Sequence, residues 1–181
     1  GGAPAEAWRI VWGGAGGYSA CAAGRVPAGV DGVGRRRWIL GPNGGDGGGV
    51  RLMLQVMRGN MVGSLAEMMA LSKASGLDER AVLDVLSNSA MGNPLCTAKG
   101  KLMMEMKYEP NFQVYLQQKD LRLALQLADD LGVPAPISAA ANAQYVRARQ
   151  MCLANADFAA VRMAYEAEVP PDKESETGEL N

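Results

Sequence analysis

Histidine is absent from all 181 residues, and this removes more chemistry than any other gap in the composition. Imidazole-based triads, histidine metal ligands and the commonest general base are excluded together. Acid–base work is left to Lys, Asp, Glu, Tyr and Cys. Cysteine is nearly absent too: Cys21, Cys96 and Cys152 are odd in number and widely spaced. That pattern argues against a disulfide framework or a zinc site, and for reduced thiols in an intracellular, cytoplasmic setting. A net charge of −1 offers no general attraction to nucleic acid or to an anionic membrane. No apolar run has the length to span a bilayer. The first residues, Gly-Gly-Ala-Pro, carry neither an initiator Met nor a basic, apolar signal pattern, so the expectation is a fragment or partial gene product.

What is present divides near Gly41 to Gly49. Residues 1–40 are rich in Gly, Ala and Arg, with short apolar runs such as Ile10-Val11-Trp12. From Val50 to Ser75, apolar residues recur every three or four positions (Leu54, Met57, Met61, Leu65, Met68, Leu71), which predicts one long helix ended by Gly76. Asp78 reads as the cap of a second helix reaching about Leu86. Asn93-Pro94 opens a third, to about Met106. A fourth is predicted from about Gln113 to Leu131, a fifth from Pro136 to about Cys152, and a short last one capped by Asp157. The acidic end, 169–181, reads as a disordered tail. Residues 41–168 are therefore expected to be an all-α domain. Its long first helix has two apolar faces, more than a small monomer needs, so a homo-oligomer or a neighbouring domain is expected against it.

The densest signal is Gln117-Gln118-Lys119-Asp120-Leu121-Arg122-Leu123-Ala124-Leu125, running on to Leu131-Gly132-Val133-Pro134. A Lys-Asp pair sits in the first turns of an apolar-periodic helix that Gly and Pro close. Further segments accompany it: Gly45-Asp46-Gly47-Gly48-Gly49-Val50-Arg51-Leu52-Met53-Leu54-Gln55, Gly63-Ser64-Leu65-Ala66-Glu67, Pro110-Asn111-Phe112, Ala139-Ala140-Ala141-Asn142 and Asp157-Phe158-Ala159-Ala160-Val161. In combination, over residues 34–166, they resemble the β-hydroxyacid (3-hydroxyisobutyrate) dehydrogenase family, in the branch of glyoxylate/succinic semialdehyde reductases and N-PAC. The resemblance implies a helical domain like the C-terminal domain of 6-phosphogluconate dehydrogenase, preceded here by a poorly structured Rossmann remnant at 1–40. It also implies an NADP or NAD cofactor, of which this chain would hold only part of the site, and a small hydroxy- or oxo-acid substrate. Residues 7–33 do not read as the family's strands and helix, and the expectation is that they are divergent or mistranslated.

The resemblance also assigns roles, and each has a plainer alternative. Arg51 stands where the family has its catalytic lysine, and Gln55 where it has asparagine. A guanidinium holds its protons, so Arg51 is expected to be catalytically poor yet able to grip a carboxylate; by itself it reads as a surface arginine. Gln55 reaches further than asparagine, by over about 1 Å, enough to degrade a catalytic geometry. Lys119 and Asp120 would contact the cofactor, or are a solvated pair near a helix start. Phe112 closes over the substrate or anchors the core. Gly13 to Gly17, with Asp31 as a ribose acid, invites a dinucleotide-fingerprint reading, but few apolar helix positions follow it. Arg35-Arg36-Arg37 reads as solvated surface, and the methionines Met53, Met57, Met61, Met68 and Met69 as core and interface packing. No metal site, nucleic-acid partner or membrane partner is expected. The function expected is the cofactor-contacting, dimer-forming domain of an NAD(P)-dependent reductase. The alternative is a catalytically inactive oligomerisation module like the dehydrogenase-like part of N-PAC.

Overall fold

The computed structural model describes residues 8–13, 17–21, 37–41 and 46–166. The chain divides into two units, Gly1–Leu54 and Gln55–Asn181, with the division inside the first helix. Asp31, Arg35, Arg36 and the acidic tail read at 169–181 lie outside the described residues.

In the first unit, the stretch read as a poorly structured Rossmann remnant contains three strands among its described residues. They are β1 (Trp8–Gly13), β2 (Gly17–Cys21) and β3 (Arg37–Gly41), in the order β2-β1-β3. Both pairings are antiparallel, and Gly13 faces Gly17 across the β1–β2 pair. Val, Ile, Trp and Tyr favour a pleated surface, and Trp8-Arg9-Ile10-Val11-Trp12 is built largely from them. The glycine run therefore joins two antiparallel strands, whereas a dinucleotide fingerprint leads from a strand into a helix beside a parallel neighbour. β3 stands where the resemblance places the strand before the long helix.

The long helix α1 spans Asp46–Ala74, beginning earlier than its apolar periodicity suggested. Gly76, at φ +68°, ends it: its N–H reaches the Lys73 carbonyl and that of Leu77 the Ser72 carbonyl. Helix α2 (Glu79–Asn88) is capped by Asp78, whose carboxylate accepts the Arg80 N–H. Helix α3 (Pro94–Glu105) has Asn93 at its cap, accepting the Cys96 N–H, and Pro94 in its first turn. Helix α4 (Val114–Asp130) closes at Gly132, φ +65°. Helix α5 (Pro136–Gln150) follows, then a 3-10 turn (Phe158–Val161) capped by Asp157, and α6 (Arg162–Glu166). No helix among the described residues is long and apolar enough to cross a membrane.

The buried face of α1 is Val62, Leu65, Ala66 and Met69, at the 3-1-3 spacing of a core-facing stripe. Leu65 and Met69 of this face are among the apolar positions read from the sequence. Met61 and Met68 flank the core partly buried, while Leu54, Met57 and Leu71, together with Met53, are exposed. Methionine and leucine drew attention by hydrophobicity, but the small Ala66 and Gly63 mark where neighbours come close. Of the alanines Ala139, Ala140, Ala141 and Ala143, only Ala141 is buried. Opposing α1 in the core are Met103, Val114, Leu121, Tyr145, Ala148 and the whole 3-10 turn.

Helix α4 lies against α1 because position 59 is glycine. A Cβ there would stand 2.6 Å from Gln117 Nε2 and 3.1 Å from Leu121 Cδ1. The space is filled by polar contacts with the α1 backbone: Gln117 Nε2 donates to the Gln55 carbonyl at 2.9 Å, and the Tyr145 hydroxyl to the Gly59 carbonyl at 3.3 Å.

Candidate functional site

Four of the five residues singled out by the resemblance lie in the helical unit, on α1, α4 and the loop before α4. Gln55 is buried on α1, 3% exposed, and its Nε2 donates to Asp120 Oδ2 at 2.8 Å across 65 residues of sequence. Asp120, 8% exposed on α4, also receives the Lys119 ammonium, 3.2 Å from Oδ1. The Lys119 side chain keeps 47% of its surface in solvent. Asp120 thus accepts from a buried amide on one side and a half-exposed ammonium on the other. Being acceptor-only when ionised, the carboxylate also fixes which way the Gln55 amide points. Gln55 Oε1 and Gln117 Oε1, both buried, have no hydrogen-bond partner.

Phe112 sits half-buried against the core, edge-to-face with Phe158: the ring centroids are 5.8 Å apart at 90°. Its core contact is plain in this geometry. The loop that carries it is held by Asp157, whose Oδ2 accepts the N–H groups of Asn111 and Phe112 at 3.2 and 3.3 Å. The same carboxylate receives the Lys99 ammonium at 2.8 and 2.9 Å and the Ala159 N–H at 3.0 Å. Asp157 is fully buried and Lys99 nearly so. Asp157 therefore does more than cap the last turn: it ties α3, the Phe112 loop and the 3-10 turn together. The Phe158 N–H closes the same junction on the Phe112 carbonyl at 2.8 Å.

Arg51 is exposed on α1, one helical turn before Gln55. Its guanidinium is no substitute for an ammonium that must yield a proton. Lys99 cannot take that part while both carboxylate oxygens of Asp157 hold it. Tyrosine was another candidate in a chain without histidine. Burial pushes Tyr108 up to about 12, opposed by the nearby Arg162 guanidinium, and raises Tyr145 well above its ordinary value. Both phenols stay protonated near neutrality. Cys96 is buried and Cys152 exposed, both as free thiols. Among the described residues no cluster of three metal-ligating side chains occurs.

Three residues of this neighbourhood drew no notice in the sequence beyond the capping role of Asp157. These are Lys99, Asp157 as the loop's anchor, and Arg58. The Arg58 guanidinium carbon lies 4.3 Å from the Phe112 ring centroid and 4.5 Å from that of Phe158. The signal available for Arg58 was its spacing, three residues after Gln55 and so on the same side of α1. Lys99 and Asp157 are 58 residues apart and carried no local signal.

Lys119 offers a half-exposed cation, and the buried amide oxygens of Gln55 and Gln117 have no hydrogen-bond partner. Among the described residues both strand pairings are antiparallel, whereas a dinucleotide-binding βαβ unit needs a parallel pair.

Residues 45–165 match the family model described as NAD-binding of NADP-dependent 3-hydroxyisobutyrate dehydrogenase. The chain is 39% identical over 136 residues to glyoxylate/succinic semialdehyde reductase 1 of Arabidopsis thaliana, covering 75% of this chain and 46% of the relative. It is 31% identical over 133 residues to the cytokine-like nuclear factor N-PAC of Xenopus tropicalis, covering 74% of this chain and 25% of that protein. Among solved structures, the 3-hydroxyisobutyrate dehydrogenase of Salmonella typhimurium superposes with a TM-score of 0.71 at 24% identity, over 74% of this chain and 47% of that one. The chain thus spans less than half the length of these relatives. The matched region is the helical one that carries Gln55, Phe112, Lys119 and Asp120, and the chain belongs to the family of NAD-binding domains of NADP-dependent 3-hydroxyisobutyrate dehydrogenases.

Proposed function

We propose that this chain provides the helical half of an NAD(P)-dependent oxidoreductase site for small hydroxy or oxo acids, contributing to cofactor binding and to dimerisation. The observation that carries the reading is the buried Gln55–Asp120 hydrogen bond. It joins the family's asparagine position to the Asp of the Lys-Asp pair, inside the same α1–α4 contact as the Gln117 bond to the Gln55 carbonyl. The bound cofactor would supply the hydride. Asp120 holds the Gln55 amide in one orientation and draws the Lys119 ammonium to its outer side, where that cation can meet a ribose hydroxyl or a phosphate. Phe112, on a loop pinned by Asp157, would form an apolar wall that excludes water from the substrate. With Arg51 in the lysine position, the proton that must accompany hydride has no ready donor, so the site binds better than it turns over.

That last point favours a second reading, an inactive oligomerisation module like the dehydrogenase-like part of N-PAC. Met57 and Leu71 on α1, 59% and 62% exposed, support an assembly surface in either case. The test is to assay the purified chain for NADPH-dependent glyoxylate reduction and for NADPH-dependent thermal stabilisation. Stabilisation without turnover is expected. Appreciable turnover would overturn the assignment of Arg51 as an impaired proton donor. Loss of the stabilisation would leave the assembly reading standing alone.

A further inference from the structure

Positive charge is unevenly spread over the helical unit. Residues 113–128 and 136–156, which include most of α4 and all of α5, hold the cations Lys119, Arg122, Arg147 and Arg149 against a single carboxylate, Asp120. The chain as a whole has a net charge of −1. We infer that the outward face of α4 with Arg149 of α5 receives the phosphates of the dinucleotide and favours NADPH over NADH. The inference rests on the oxidoreductase reading above.

Asp120 does not neutralise this face. It is 8% exposed, and its oxygens are taken by the Gln55 amide and the Lys119 ammonium. Arg122 is exposed three residues after Lys119, on the same side of α4, and has no hydrogen bond or ion pair among the described residues. The residues three and four positions away from it are Gln118, Lys119, Leu125 and Gln126, so its own helix offers it no carboxylate. Arg149 is exposed on α5 and donates through Nη1 to Gln118 Oε1, a neutral partner that leaves its charge and its other N–H groups uncommitted. Gln118 is fixed in turn, donating to Asn142 Oδ1 at 3.0 Å. Because Gln118 lies one turn before Arg122, this bond sets Arg149 beside the part of α4 that carries the other two cations.

A lone exposed cation is solvated surface. Three together without a counter-charge repel one another, and an anion bound between them relieves that repulsion. The ligand's size follows from the count. Nucleic-acid binders commonly meet about 6–10 phosphates, and this chain has three free cations on the face and a pI of about 5.6. A dinucleotide with a diphosphate and one further phosphate matches three cations. Tyr115, 39% exposed and one turn before Lys119 on the same face, adds a ring on which a base or the nicotinamide can lie.

The test measures NADPH and NADH binding to the full chain by calorimetry. Arg122→Gln, Arg122→Lys, Arg149→Gln and, on α2, Arg80→Gln are measured alongside, each checked for helical content by circular dichroism. The wild type is expected to prefer NADPH by about tenfold, the scale of one charge-assisted contact. Arg122→Gln and Arg149→Gln should each weaken NADPH several-fold more than NADH; should one fail to fold, the other decides the matter. Arg122→Lys keeps the charge and should keep most of the preference, and Arg80→Gln all of it. Added salt should weaken NADPH more steeply than NADH. Equal affinity of the wild type for the two dinucleotides, or NADPH affinity untouched by both glutamine variants on this face, would overturn the assignment and leave the cofactor reading in place. Failure of the wild type to bind either dinucleotide would overturn both. A short single-stranded oligonucleotide bound more tightly than NADPH through the same arginines would give the face to nucleic acid and overturn the assignment as well.

Discussion

Two lysine–aspartate pairs lie in the helical unit, and they differ in almost every physical respect. Lys119 and Asp120 are neighbours in sequence, 3.2 Å apart, with nearly half of the lysine side chain in water. Lys99 and Asp157 are 58 residues apart, both buried, with the ammonium on both carboxylate oxygens. An adjacent pair whose cation stays half in water adds little to stability, because solvent screens it and side-chain entropy opposes it. A buried pair with further N–H donors is costly to break, since either partner left alone is a desolvated charge. The same two residue types thus do opposite work. One pair is spare enough to meet a ligand, and the other is committed to holding the Phe112 loop where a ligand would meet it.

The comparison breaks most visibly at Asp157. Asp157→Ala strands the Lys99 ammonium and releases the Asn111, Phe112 and Ala159 N–H groups, so a loss of about 3–5 kcal/mol is expected. Urea denaturation of the variant and wild type checks this. A smaller effect comes with pH. Tyr108, whose carbonyl accepts the Asp157 N–H, and Tyr145, against α1, both resist ionisation in the fold. Their folded pKa values lie above the unfolded value of about 10, so the unfolded chain releases these protons first. Their contribution to stability is complete below about pH 10 and is lost as the pH rises towards the folded values, about 12 for Tyr108. Denaturation midpoints in urea should fall between about pH 9 and pH 11.5, with Tyr108→Phe blunting the fall. The smallest effect on stability belongs to Lys119→Ala, about 0.5 kcal/mol or less.

Much of this fold was legible locally. Asp78, Asn93-Pro94, Gly76 and Gly132 announced helix ends because capping chemistry acts over three or four residues, and the ends fall where those residues stand. The buried face of α1 was less legible. Met57 and Leu71 face outward, while Val62, Leu65 and Met69 face inward beside Gly59, Gly63 and Ala66, small residues whose value appears only when a neighbour packs on them. The β1–β2 pair was not read from the sequence, because its glycines invited only a dinucleotide-fingerprint reading, which the lack of a following apolar helix counted against. At the site, Gln55, Phe112, Lys119 and Asp120 were reached through the resemblance. Arg58 and Lys99 were not, since a guanidinium between two rings and a buried ammonium depend on partners tens of residues away.

The most direct test of the contrast between the pairs is the NADPH-dependent melting of wild type and Lys119→Ala, read by differential scanning fluorimetry. The expected result is the same melting temperature for both without cofactor, and an NADPH-dependent rise in the wild type that the variant loses. A variant that melts well below the wild type without NADPH, or that keeps the full rise with it, would contradict the account.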